Sequence, residues 1–269
     1  MRLSGLTRIS LRTVALAYLF VLLVLPLGII IWRTFERGIM AFVDSITTPA
    51  AVSAFQLSLI IVVIVVPLNV VFGVITAIAL VRGKFPGRTL VQGLVDLPFA
   101  VSPVVVGVSL ILLWGAGGWF GGLEHHGLKV IFNLPGMVLA TIFVTLPFVV
   151  REVEPVLHEI GDDQEQAAAT LGASGWQTFW RITLPAIRWG LTYGVVLTVA
   201  RALGEFGAVI MVSTALPGKS QTLTLLVHGR YINDHNTFGA YSAATLLMGI
   251  ALVVLLLMTL LERKRGNAK

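Results

Sequence analysis

Uncharged apolar runs and short charged intervals alternate along the whole chain. Residues 14–31, 57–81, 97–114, 134–150, 189–212 and 238–261 are apolar over nearly their full length. About 20 residues at 1.5 Å rise cross a hydrocarbon core of about 30 Å, so the pattern predicts six transmembrane helices in an all-α integral membrane protein. Pro67, Pro98, Pro103 and Pro147 fall inside these runs. Each removes a backbone donor and predicts an interruption of the second, third or fourth helix, tolerable where neighbouring helices or water satisfy the freed carbonyls. Such kinks favour a lined pathway over plain packing.

One interval breaks the rhythm. Residues 166–185, QAAATLGASGWQTFWRITLP, are polar and amphipathic where the rest of the chain is lipid-soluble. Gly172 can take the left-handed conformation that ends one short helix, and Ser174 with Gln177 supplies a capping box for the next. The reading is a protruding helical elbow that something outside the membrane grips. Trp176, Phe179 and Trp180 are its apolar anchors, since large rings bury area at little entropic cost. Trp180 could equally pack on the chain's own cytoplasmic end. Small Ala167, Ala168 and Ala169 let the two short helices lie close together.

Composition agrees with the membrane reading: 57% hydrophobic and 12% charged residues exclude an ordinary soluble domain, which carries about 25% charge. A length of 269 residues fits one membrane domain, divided here into 1–52 (N-terminal cytoplasmic segment, first helix and outer loop), a core of 53–261 with the cytoplasmic loop 151–188, and a basic tail of 262–269. The first run has 18 residues without a charge and no small-x-small cleavage site after it, so it stays as an anchor. With no cysteine, disulfides and thiolate sites are excluded.

A net charge of +6 is common in nucleic-acid binders, but here the basic residues flank the membrane segments and share no face, so no nucleic-acid partner is expected. Their distribution sets orientation instead. Arg2, Arg8, Arg12, Arg82, Lys84, Arg88, Arg151, Arg181, Arg188, Arg263, Lys264, Arg265 and Lys269 lie on one side, thirteen in all, against Arg33, Arg37, Lys129, Lys219 and Arg230 on the other. Basic flanks stay inside, so both termini and the elbow are cytoplasmic. Glu152, Glu154, Glu159, Asp162, Asp163 and Glu165 form an acidic approach to the elbow, solvated or paired with a basic partner surface.

The elbow resembles the EAA loop of ATP-binding-cassette importer permeases, whose pattern is E-A-A, three residues, Gly, nine residues, Ile, one residue, Leu-Pro. Ala167, Ala168, Gly172, Ile182, Leu184 and Pro185 match it, and Gln166 stands where the family has Glu. The resemblance implies the type I importer permease fold and a helix around residues 171–179 docked in a groove of an ATPase. Residues Gln166, Ala167, Ala168, Gly172, Ser174, Trp176, Phe179, Ile182, Leu184 and Pro185 would then form the coupling surface. No G-x-x-x-x-G-K-[ST] occurs, so ATP and Mg would be held by the partner and this chain would carry no cofactor and no enzyme activity of its own.

Arg201 and Glu205 lie inside the fifth predicted helix, where a mid-bilayer charge costs ~2.5–3.5 kcal/mol. Four residues apart, they share a face and could simply neutralise each other. The run RALGEFG at 201–207 also resembles a stretch of oxyanion importer permeases for sulfate and molybdate, which implies a passing anion contacted by Arg201, with Glu205 limiting retention. Glycines at 204 and 207 would permit close approach of a neighbouring helix. Asp96 reads as an acid at the start of the third helix, favoured by the helix dipole. Ser102, near Pro103, could line the pathway as a neutral donor. The five histidines show no ligand spacing, and no nucleophile motif is present, so neither metal nor catalysis is expected.

Similarity to the W-type membrane subunit of sulfate/thiosulfate importers extends over nearly the whole chain, through 16–20 (LAYLF), 96–104 (DLPFAVSPV), RALGEFG and 227–239 (VHGRYINDHNTFG). It implies residence in the bacterial inner membrane bilayer beside a T-type permease subunit, two ATPase subunits and an external sulfate-binding protein. A molybdate/tungstate permease acting as a homodimer is the alternative within the family. A secondary transporter or channel would also have six crossings but would not need the elbow.

Overall fold

The computed structural model describes residues 5–266, so Arg2 and Lys269 of the orientation count lie outside the described residues, as do the side chains of Arg8, Arg263, Lys264 and Arg265. The first rod is α1 (Gly5–Leu19), a π-turn (Phe20–Val24) and α2 (Leu25–Phe35), giving an apolar span over Ser10–Phe35. A short α3 (Ile39–Ile46) leads to α4 (Pro49–Arg82). Its start is fixed by Pro49 in the first turn and by Thr48, whose Oγ1 accepts the Ala51 N–H at 3.3 Å. Then come α5 (Arg88–Ala100), α6 (Pro103–Trp114), a single turn α7 (Gly122–His125) and α8 (Leu134–Ile160). The elbow is α9 (Asp163–Thr170) and α10 (Gly175–Thr178), joined by a π-turn (Phe179–Thr183) to α11 (Leu184–Leu203). The chain ends in α12 (Gly207–Val212), α13 (Leu223–His228), a π-turn (Gly229–Asn233) and α14 (Thr237–Gly266).

Among the described residues five helices are long and apolar enough to cross a membrane, and the α5/α6 pair, bent by 115°, has the length and composition of a sixth, broken span. The third crossing is therefore not one rod over 97–114. Pro103 cannot donate, and it drives Ser102 to an extended ψ of 133°. Alone, α6 reaches about 18 Å at 1.5 Å per residue, too short for the bilayer. The fifth crossing also differs from the expected 189–212: α11 stops at Leu203, and Gly204, Glu205 and Phe206 are non-helical. Conversely, α4, α5 and α8 run unbroken through Pro67, Pro98 and Pro147. There the ring removes one bond from a helix already held along its length by its neighbours, so the expected interruptions do not occur.

The core is α4, α8 and α11, with α6 and α12 packed at its outer half. Lipid tails are as apolar as leucine, so burial gains little from leaving water, and close packing must supply the adhesion. Small residues make that contact possible. A Cβ on Gly73 of α4 would lie 2.7 Å from Val149 of α8, and one on Gly190 of α11 would lie 2.6 Å from the Glu152 carbonyl. Leu80, Val149, Val153, Leu157 and Ile187 fill the cytoplasmic half of this core, and Val65, Met137, Val209 and Leu225 the outer half. The first rod exposes its apolar window and meets the bundle through α2 against α14, where buried Thr34 bonds Thr245 at 2.8 Å.

At the outer end, Arg230 is buried and donates to the Gly239 carbonyl (3.0 Å), the Ser45 carbonyl (3.1 Å) and Thr48 Oγ1 (2.9 Å). It ties the start of α4 to the start of α14. Burial lowers its pKa from the usual guanidinium value, and Asp234 opposes that shift.

Candidate functional site: the elbow and the paired helix breaks

The elbow folds as its residues dictate. Gly172 has φ +83°, and the Gly172 and Ala173 N–H groups donate back to the Ala169 and Ala168 carbonyls, both at 3.0 Å. This is the Schellman closure, which only a residue free of Cβ strain adopts at low cost. Ser174 Oγ then accepts the Gln177 N–H (3.3 Å) while Gln177 Oε1 accepts the Ser174 N–H (3.0 Å), completing the capping box.

The rings form one cluster. Trp176 meets Trp180 edge-on at 5.5 Å, and Trp180 meets Phe179 at 5.4 Å. Their outlooks differ: Trp176 is 71% exposed and Trp180 50%, whereas Phe179 is half-buried against the cytoplasmic core beside Leu184. Phe179 is thus an anchor to the chain's own bundle. Leu171, beside the bend, is 88% exposed and had no individual weight in the sequence pattern. Gln166, Ala167 and Pro185 are exposed, Ala168 and Ile182 half-buried. Exposure of Ala167 and Ala169 shows that the three alanines do not serve as a common packing face between the short helices.

Two acids of the approach, Glu154 and Glu165, are paired within the chain. Glu154 accepts from Gln92 (3.2 Å), and Glu165 accepts from Arg82 Nε (3.0 Å) and Thr183 Oγ1 (2.7 Å). Asp96 is also not at a helix start, because α5 begins at Arg88. It accepts from Arg151 Nε of α8 at 2.9 Å.

Deeper in the bundle the two helix breaks meet. A Cβ on Gly207 would sit 3.0 Å from Pro103, and one on Gly107 would sit 2.5 Å from Met211, so α6 and α12 pack backbone to backbone. The expected close approach at Gly204 is absent, since its nearest atoms belong to its own helix. Ser102 lies exposed at the α5/α6 break. Arg201 lies in the last turn of α11, and its Nη1 stands 2.6 Å from Glu205 Oε2 in the second break. The pair therefore bridges a helix end and the non-helical segment, and is not the intrahelical pair that the spacing suggested. Glu205 also accepts the Ala208 N–H at 2.8 Å, and its carbonyl accepts from Thr224 Oγ1 at 2.8 Å. Its side chain is 1% exposed and that of Arg201 32%. A cavity of about 10 Å³ lined by Glu205, Ser58, Thr141 and Thr222 adjoins it, room for about one water. Among the described residues no group of histidines and carboxylates is arranged to hold a metal.

Comparisons with known proteins agree with this geometry. Residues 69–267 match the family described as binding-protein-dependent transport system inner membrane component. The chain is 49% identical to the sulfate transport system permease protein CysW of Synechococcus elongatus over 98% of this chain and 92% of that one. It is 35% identical to the sulfate transport system permease protein CysT of Escherichia coli, over 98% of this chain and 95% of that one. A chain of a bacterial alginate ABC transporter superposes with a TM-score of 0.77 at 17% identity, covering 95% of this chain and 94% of its own, a likeness of fold. The chain therefore belongs to the binding-protein-dependent inner membrane components, as a multi-pass permease subunit of an ABC importer whose ATPase and binding protein are separate partners.

Proposed function

We propose that this chain forms one half of a sulfate/thiosulfate pathway, paired with a T-type permease, driven by two ATPase subunits that hold ATP and Mg, and loaded by an external sulfate-binding protein. The substrate class rests on the near-full-length likeness to sulfate permeases. The coupling role rests on one observation above all: a cap-locked elbow that holds Leu171, Trp176 and Trp180 out into water at the basic end of the bundle. A groove in an ATPase that covers these groups acquires a rigid handle on α11. Gln166, Ala167 and Pro185 belong to the exposed face of that handle, while Ala168, Gly172, Ser174, Phe179, Ile182 and Leu184 shape and fasten it.

A dianion entering against 100 mV, inside negative, climbs about 4.6 kcal/mol at 2.3 kcal/mol per charge. ATP-driven alternation of outward and inward states supplies that work. Arg201 offers the passing anion a guanidinium one-third open to solvent, Glu205 keeps the site from trapping it, and Ser102 at the facing break adds a neutral donor.

Radiolabelled uptake into proteoliposomes containing the complete complex tests the reading. Sulfate and thiosulfate should enter only with ATP. Uptake of molybdate alone, or full-rate uptake without the ATPase, overturns it. The anion contact is tested by Arg201→Gln made together with Glu205→Gln, so that no charge is stranded. Transport at the rate of Glu205→Gln alone removes Arg201 from the pathway.

A further inference from the structure

The elbow has few attachments to the bundle that it would have to move. Neither α9 nor α10 contains a buried residue, and in the following π-turn only Thr183 is buried. Its two joints differ: past α8 the chain turns at Gly161 with φ +64°, whereas α10 runs through the π-turn into α11 as one continuous helix from Gly175 to Leu203. A push on Trp176 therefore reaches α11 along one helix, whereas α9 hangs on the turn at Gly161 and by itself passes nothing to α4 or α8.

One side-chain knot closes this gap. Arg82, the last residue of α4, donates Nε to Glu165 of α9 (3.0 Å), Nη1 to the Leu157 carbonyl (3.2 Å) and Nη2 to the Gly161 carbonyl (2.5 Å). The latter two belong to the C-terminal turn of α8, where carbonyls lack helical partners and a cation is favoured. The other oxygen of Glu165 accepts from Thr183, the buried residue at the head of α11 (2.7 Å). The planar guanidinium can serve three acceptors in fixed directions, which an ammonium cannot.

We propose that Arg82, Glu165 and Thr183 are positioning residues that lock the elbow to α4, α8 and α11 together, so that one movement of the elbow shifts all three. The inference rests on the elbow's docking to an ATPase. Gln166, which replaces the family's Glu, faces water, whereas its neighbour Glu165 carries this internal link.

The test uses the complete complex in proteoliposomes and reads sulfate transported per ATP hydrolysed, with the amount of co-purified ATPase measured in parallel. Arg82→Gln, Glu165→Gln and Thr183→Val should each keep their ATPase yet lower the ratio about fivefold or more, the scale of a typical coupling between sites. Thr183→Ser should restore it, and Arg82→Gln with Glu165→Gln should be no worse than the poorer single variant. A wild-type ratio in Glu165→Gln and Thr183→Val overturns the proposal. Loss of the ATPase from Glu165→Gln, in place of a lowered ratio, also overturns it, because the knot would then serve only to fold the elbow. Trp176→Ala separates the underlying reading: if it retains ATPase and ratio alike, docking at the elbow fails whatever the knot variants show.

Discussion

Arg201 and Glu205 are unequal partners, and the inequality predicts opposite consequences for their loss. Glu205 is sealed in the bundle and Arg201 can reach solvent. Removing Arg201 strands a carboxylate, and breaking a buried pair in this way costs about 3–5 kcal/mol. Replacing Glu205 by Gln removes the charge, retains an oxygen for the Ala208 N–H and leaves a guanidinium that turns to water, for about 1 kcal/mol, the scale of one net hydrogen bond. Thermal unfolding in detergent should therefore show Arg201→Ala far below wild type, Glu205→Gln close to it, and the Arg201→Ala, Glu205→Gln double variant more stable than Arg201→Ala alone. Equal losses from the two single changes would mean that the pair is hydrated on both sides. The four-residue spacing made the partnership legible in the sequence. The capping of α12 by Glu205 was not, because periodicity continues through Gly204 and gives no sign that the helix stops.

At the scale of elements, the elbow and the α6/α12 contact depend on glycine for different reasons. Gly172 needs its positive φ, which proline, fixed near −65°, cannot adopt, and proline also lacks the N–H that reaches Ala169. Gly172→Pro should insert into the membrane normally and abolish transport-coupled ATP hydrolysis; unchanged coupling in a reconstituted complex would take the bend out of the mechanism. Gly107 instead needs the absence of a side chain, because Met211 and the Ala208 carbonyl occupy that space. Gly107→Leu should push α6 off α12 and lower the yield of assembled, monodisperse protein severalfold, overpacking costing about 1–3 kcal/mol. The elbow was readable in detail because its signals are local: one glycine and one capping box fix it. The breaks were readable only in part. Pro103 marked the break in the third run, but Pro67, Pro98 and Pro147 carry the same local signal in helices that stay whole, and what separates them is packing against neighbouring helices that no single segment reveals.

For the molecule as a whole, charge asymmetry and structure make the same statement from different physics. The elbow is tied through Arg82 and Glu165 to the basic end that positive charge keeps inside, while Arg230 knots the opposite end. Absence of cysteine turns this into a clean measurement, because single-cysteine variants carry no background thiol. In right-side-out vesicles, Lys219→Cys should react with a membrane-impermeant maleimide, and Leu171→Cys should not; inverted vesicles should reverse the pattern. With the ATPase bound, Leu171→Cys should become several times slower to label even in inverted vesicles, since at 88% exposure it has no shield of its own. Labelling of Leu171→Cys from outside would invert the orientation and remove the elbow from reach of any ATP-fuelled partner. Correct sidedness without protection would keep the topology and deny the elbow its role as the docking surface.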